Sequence, residues 1–297
     1  MKTYLYLIAL AASPVFADGC PTRGVTQQVC AYSPSSLSFE GDAKSQATCL
    51  LRPVLMCGKI SATPTSLPSN LEKRVGTPVN FKSTALQGYL AANKIAEADV
   101  GGNLDRPLSK TELGDPAQYF VIHDTSTPNY GSKPFPTDID KPSWPDNSLK
   151  HWAKGEKSKA HVFINRLGES ITAMPFERGW RAVKFELTYA QRYPQASETA
   201  LRGRFLHVEL VQPRRSALSS GAGDMQAPTP GFAEAQYQRL ALVYIAASIR
   251  AGQWLIPAYH AGLDLGITGG HDDPQHFELD SWSRHIDSLV TEIAAAR

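Results

Sequence analysis

The stretch YFVIHDTS, residues 119–126, opens with four apolar or aromatic residues and closes on His123, Asp124 and two hydroxyl side chains. Continuous apolarity over so few residues is the pattern of a strand covered on both faces. Working outward, His161 to Ile164, a turn through Gly168, and Ser170 to Met174 predict a hairpin. A further strand is expected from Phe205 to Val211, with Phe205, His207, Glu209 and Val211 on one face. Between Phe232 and Gln253 the apolar residues Tyr237, Leu240, Ala241, Tyr244 and Ile245 keep helical spacing, and Gly252 supplies a stop. A last helix is predicted from Asp280 to Ala295. Strands with one long and one terminal helix imply an α/β fold, a central mixed β-sheet flanked by helices.

The chain begins with Lys2, an apolar stretch from Leu5 to Ala12 and the small-residue exit Val15-Phe16-Ala17. That is the pattern of a secretory signal peptide over residues 1–17, so export to a periplasmic or extracellular space is expected. Nothing later is apolar for long enough to span a bilayer, which argues against stable membrane insertion. All four cysteines, Cys20, Cys30, Cys49 and Cys57, fall in the first fifth of the sequence. In an exported chain they read as two disulfides, with three connectivities open, and no CxxC pair supports a zinc knuckle. A Pro- and Ser-rich run from Ser61 to Ser69 suggests a linker, giving a cysteine-rich segment over 18–75 and a main domain over 76–297.

A formal net charge of +2 with 42% hydrophobic residues lacks the concentrated basic face expected of a nucleic-acid-binding protein. The lysines at 150, 154, 157 and 159 read as a solvated face. No phosphate-binding glycine loop is present. The chemistry lies in the histidines: His123 ends a strand, His260 follows the long helix, and Asp273-Pro274 lies in the loop beyond. Two histidines and a carboxylate at the ends of neighbouring elements can converge on a metal and leave it an open position for water.

Five ordered blocks carry a family resemblance: YFVIHDTS, AHVFINRLGESITAMPFE, LHVELV, FAEAQYQRLALVYIAASIRAG and AYHAGLDLGITGGHDDPQHFELDSW. Over roughly residues 115–282 the chain resembles the zinc-dependent N-acetylmuramoyl-L-alanine amidases of the type-2 amidase and peptidoglycan-recognition-protein superfamily. The resemblance implies Zn2+ held by His123, His260 and Asp273, with Asp273 preferred to Asp272 because it precedes proline. It implies peptidoglycan or muropeptides as substrate, and hydrolysis of the amide between N-acetylmuramic acid and L-alanine. It gives Glu209 a proton-transfer role, with a structural carboxylate as the other reading. His271 stands where family members often carry an oxyanion-stabilising lysine, and it also competes as a ligand.

The sequence departs from the family at RGWRAVKFE, where Trp-His-Ala-Gly is common. Here Trp180, Arg181 and Lys184 remain candidates for a substrate-groove wall, with an aromatic core residue beside solvated bases as the plainer reading. His161 is either a groove residue or a hydrogen-bonded strand start. Two other functions stay open: a recognition module that binds muropeptides without cutting them, and a zinc peptidase acting on the stem peptide.

Overall fold

The computed structural model describes residues 30–55, 58–61, 66–153, 160–216 and 226–295. The signal-peptide reading, Cys20, Cys57 and the lysines at 154, 157 and 159 lie outside the described residues. A short hairpin, β1 (Tyr32–Ser33) and β2 (Ser38–Phe39), leads into α1 (Ala43–Leu50). Asp42 caps α1 by accepting from the Ser45 N–H at 2.8 Å, which satisfies one of the helix's unpaired donors. Helices α2 (Ser69–Glu72) and α3 (Ser83–Ala92) follow.

The central sheet holds β3 (Tyr119–Asp124), β4 (Val162–Ile164), β5 (Ser170–Thr172), β6 (Phe205–Leu210) and β7 (Ile256–Tyr259). Between β5 and β6 lie the one-turn helices α4 (Lys184–Leu187) and α5 (Tyr189–Arg192), and α6 (Glu234–Ala251) precedes β7. After β7 come α7 (His260–Asp264) and α8 (Leu279–Ala295). The strand order is β5-β4-β6-β3-β7. β4, β6, β3 and β7 run parallel, and β5 is antiparallel to β4. The protein is therefore α/β, with a mixed five-stranded sheet flanked by helices, as the strand and helix patterns imply.

Alternation along β3 sorts its residues between the two layers. Phe120 faces α6 and α8, with its ring 5.2 Å from Tyr244 and 6.5 Å from Trp282. Burying a side chain of this size stabilises the fold by roughly 1.5–3 kcal/mol. Tyr119 faces the other way, 5.5 Å from Phe39, and its hydroxyl donates to Gln46 Oε1 at 2.7 Å. His123 belongs to this second face. Gly252 ends α6 at φ 73°, a left-handed conformation that glycine adopts without strain. β7, which the sequence patterns did not predict, carries Pro257 and lies at the sheet edge, where a ladder tolerates proline.

The cysteine-rich segment packs into the body of the protein. Leu37, Phe39, Leu50, Leu51, Leu71 and Val75 share one apolar core with the sheet and the long helices. Residues beyond α1 also brace the loop after α7: Val54 bridges Gln275, and a Cβ added at Gly58 would collide with the Asp272 carboxylate. The disulfide Cys30–Cys49 closes a sequence separation of 19. A loop of this size implies about 3 kcal/mol of stabilisation. The Cys30→Ser/Cys49→Ser double variant is expected to lose about that amount in denaturant unfolding, and a loss below about 1 kcal/mol would refute the assignment. No helix among the described residues is long and apolar enough to cross a membrane.

Candidate metal centre

His123, the fifth residue of β3, and His260, the first residue of α7, meet because β3 and β7 are neighbours that end on the same side of the sheet. Their Nδ1 atoms lie 2.9 Å apart. Asp273 enters from the loop after α7, placing Oδ1 3.0 Å from His260 Nδ1 and Oδ2 3.8 Å from His123 Nδ1. All three are buried, and among the described residues they form the one group of histidine, cysteine and carboxylate side chains that could hold a metal ion.

The donor set fits a cation. Each histidine offers Nδ1 to the shared point while its Nε2 is engaged elsewhere. His260 Nε2–H donates to Asp264 Oδ2 at 3.0 Å, and His123 Nε2 lies 3.0 Å from His207 Nδ1. Burial works against charge on His260, but Asp273 and Asp264 on either side overcome it and hold the imidazolium well above its ordinary range. His123 goes the other way. Burial first, and then the neighbouring His260 and His207, hold its charged form well below the ordinary range. Burial also opposes the Asp264 carboxylate, yet the hydrogen bond and charge of His260 keep its pKa low.

Asp273, the third candidate ligand, is backed by a buried ion pair. Asp273 Oδ2 accepts from the Asp124 N–H at 3.0 Å. The Asp124 carboxylate meets Arg214 Nη2 at 2.5 Å and accepts from the Gln275 N–H at 3.1 Å. Burial lifts the Asp124 carboxyl to about 6, with Arg214 pulling it down and Asp273 adding to the rise. Thr125 Oγ1 accepts from the Gln212 N–H at 3.1 Å, so both residues after His123 shape the loop.

The other candidates separate. His271 is outside the three-residue group; its side chain is 57% exposed and its ring stacks 4.7 Å from His260 at the rim. Glu209 is opposite His123 in the parallel register and shares a sheet face with His207. Trp180, Arg181 and Lys184 are partly exposed on the segment entering α4. The Arg181 guanidinium donates to the Glu198 carbonyl at 3.1 Å. Lys184 Nζ lies over the loop at Gly269.

His161 is a hydrogen-bonded strand start and fully buried. Its Nδ1 accepts from the His207 N–H at 3.0 Å, and its Nε2–H donates to the Arg178 carbonyl at 3.0 Å. Burial, with the neighbouring His207, pushes its pKa down to about 3. The unfolded chain, with an ordinary histidine pKa near 6.5, therefore binds the extra proton first. The stability this contributes is present above about pH 6.5 and is lost as pH falls from there toward 3. His161→Asn, which keeps an acceptor near Nδ1, is expected to lose less melting temperature than wild type between pH 7 and pH 5. Equal losses would contradict this.

Asp264, Glu186 and the Arg214–Asp124 pair escaped the sequence reading. Asp264 left a usable signal, since His260 and Asp264 stand four apart on one helix face. Glu186 and Arg214 left none, because the side chains they pair with, His207 and Asp124, are distant in sequence. Comparison of the chain with protein-family models, curated proteins and solved structures returns no match.

Proposed function

We propose that the protein is a zinc-dependent hydrolase that cleaves the amide between N-acetylmuramic acid and L-alanine in peptidoglycan or muropeptides. The observation that carries the metal part is the convergence of His123 Nδ1, His260 Nδ1 and the Asp273 carboxylate at separations of 2.9, 3.0 and 3.8 Å. Tetrahedral zinc with bonds of about 2.0–2.1 Å places neighbouring ligand atoms roughly 3.3 Å apart. The substrate part rests on the five ordered sequence blocks and their resemblance to the type-2 amidases. The disulfide supports an oxidising location outside the cytosol.

Bound zinc supplies Lewis-acid polarisation of a carbonyl and acidifies a water molecule. The residues around it divide the remaining work. Asp264 fixes the tautomer of His260, and the Asp124 N–H orients the Asp273 carboxylate. Glu209, beside His123 in register, is the carboxylate we assign to take the proton of the attacking water and deliver it to the departing L-alanine amine. His271, exposed at the rim, is the donor we assign to the developing oxyanion. Trp180, Arg181 and Lys184 are assigned to the stem peptide.

Purified peptidoglycan digested with and without chelator, followed by mass analysis of the products, tests this reading. Free stem peptides with intact glycan chains, lost under chelation, are expected. Binding without cleavage would make the protein a recognition module, and shortened stem peptides would make it a peptidase; either outcome overturns the amidase reading.

A further inference from the structure

The first ligand histidine is connected to a buried carboxylate through a second histidine. His123 Nε2 lies 3.0 Å from His207 Nδ1, and His207 Nε2 lies 3.1 Å from Glu186 Oε2. That second approach is oblique rather than a well-aligned hydrogen bond. The His207 and Glu186 side chains are both sealed from solvent, at 0% exposure. Glu186 Oε2 also accepts from the Ala182 N–H at 2.9 Å and the Val183 N–H at 3.3 Å. These donors hold the carboxylate where an unpaired charge would otherwise be costly.

Directionality follows from the valences of the rings. If His123 offers its Nδ1 lone pair toward Asp273 and His260, its proton sits on Nε2 and is donated to His207 Nδ1. His207 then carries its own proton on Nε2, facing Glu186. Each ligand imidazole is thereby tied to a buried carboxylate, His260 directly to Asp264 and His123 through His207 to Glu186. One stretch of backbone holds both carboxylates. The Ala182 and Val183 amides bind Glu186, while the Lys184 and Phe185 amides bind Asp264 at 3.3 and 2.8 Å.

We propose that His207 and Glu186 are positioning residues for the metal centre: they hold His123 in the Nδ1-ligating tautomer. This rests on the metal-site reading above and deepens it. Outer partners of ligand histidines typically change metal affinity by about 10–100-fold when removed. His207 is also stacked on His161, 5.7 Å between rings, so packing and relay roles must be separated.

The test is zinc affinity of the full chain, measured by competition with a chromophoric chelator and independent of any hydrolytic assay. His207→Phe, which keeps the ring volume and removes both nitrogens, is expected to bind zinc about 10–100-fold more weakly than wild type. His207→Asn, whose side-chain oxygen can stand near the Nδ1 position, is expected to recover most of that loss. Glu186→Gln, which retains an acceptor for the two amides, gives a second route should His207→Phe fail to fold, and is expected to weaken zinc binding as well. Unchanged affinity in folded His207→Phe, or in Glu186→Gln, overturns the proposal. So does His207→Asn binding as weakly as His207→Phe, since packing alone would then explain the loss. Wild-type protein that binds no zinc overturns the metal-site reading itself, a result distinct from equal binding by wild type and variants.

Discussion

His123→Ala and Asp273→Ala are each expected to bring zinc content and hydrolysis to background. Two remaining ligands leave a weak, poorly oriented site, since structural and catalytic zinc both rely on at least three protein donors. A catalytic metal contributes several kcal/mol to transition-state stabilisation, and each 1.36 kcal/mol is a factor of ten. The expected loss of activity is therefore on the order of 10³-fold or more. The two variants differ in their effect on the loop. Asp273→Ala also removes the acceptor of the Asp124 N–H, 3.0 Å away, whereas His123→Ala leaves that contact in place. Asp273→Asn retains an acceptor there and provides the control for loop integrity. Metal analysis of the purified variants, with activity measured in parallel, checks the assignment. Near-wild-type zinc occupancy and activity in either alanine variant would overturn it.

The second large effect concerns stability. Arg214 and Asp124 are fully buried and 2.5 Å apart, and Arg214 also donates to Gln212 Oε1. Arg214→Met removes the cation and leaves the Asp124 carboxylate with hydrogen bonds but no counter-charge. Breaking a buried pair by deleting one partner typically costs about 3–5 kcal/mol. For a chain of this size that corresponds to a fall in melting temperature of roughly 5–8 °C. Arg214→Met combined with Asp124→Asn is expected to recover part of the loss, because the uncompensated charge is then gone. Denaturant unfolding of the three proteins measures this. A single-variant loss below about 1 kcal/mol, or a double variant less stable than the single, would contradict the account.

The central elements were legible because their patterns are local. Tyr119 to Ile122 reads as an inner strand from its own apolarity, and Gly252 marks the end of the long helix from its place in the period. β7 was not legible, since Pro257 disguises a strand whose tolerance of proline depends on its place at the sheet edge. The one-turn helices α4 and α5 are too short to develop a period, yet the backbone entering α4 holds both Glu186 and Asp264.

The site divides along the same line. Spacing put His123 and His260 at element ends, and the family resemblance joined them to Asp273; the structure brings the three together. The residues that orient them are joined across long separations, Asp124 to Arg214 and His207 to Glu186 and His123, for which a single sequence carries no periodic signal. His161 shows the converse. A histidine before a strand reads equally as a groove residue or a backbone-bonded anchor, and its complete burial decides for the anchor.

Digestion of peptidoglycan in H2(18)O distinguishes the bond that is cut, because it marks the carbonyl that water attacks. A zinc amidase leaves one heavy oxygen in the lactyl carboxylate of N-acetylmuramic acid and unlabelled stem peptides with a free L-alanine amine, and both are expected to be lost when zinc is removed. Label in a stem-peptide carboxylate, or release of stem peptides that persists without zinc, would contradict the amidase reading.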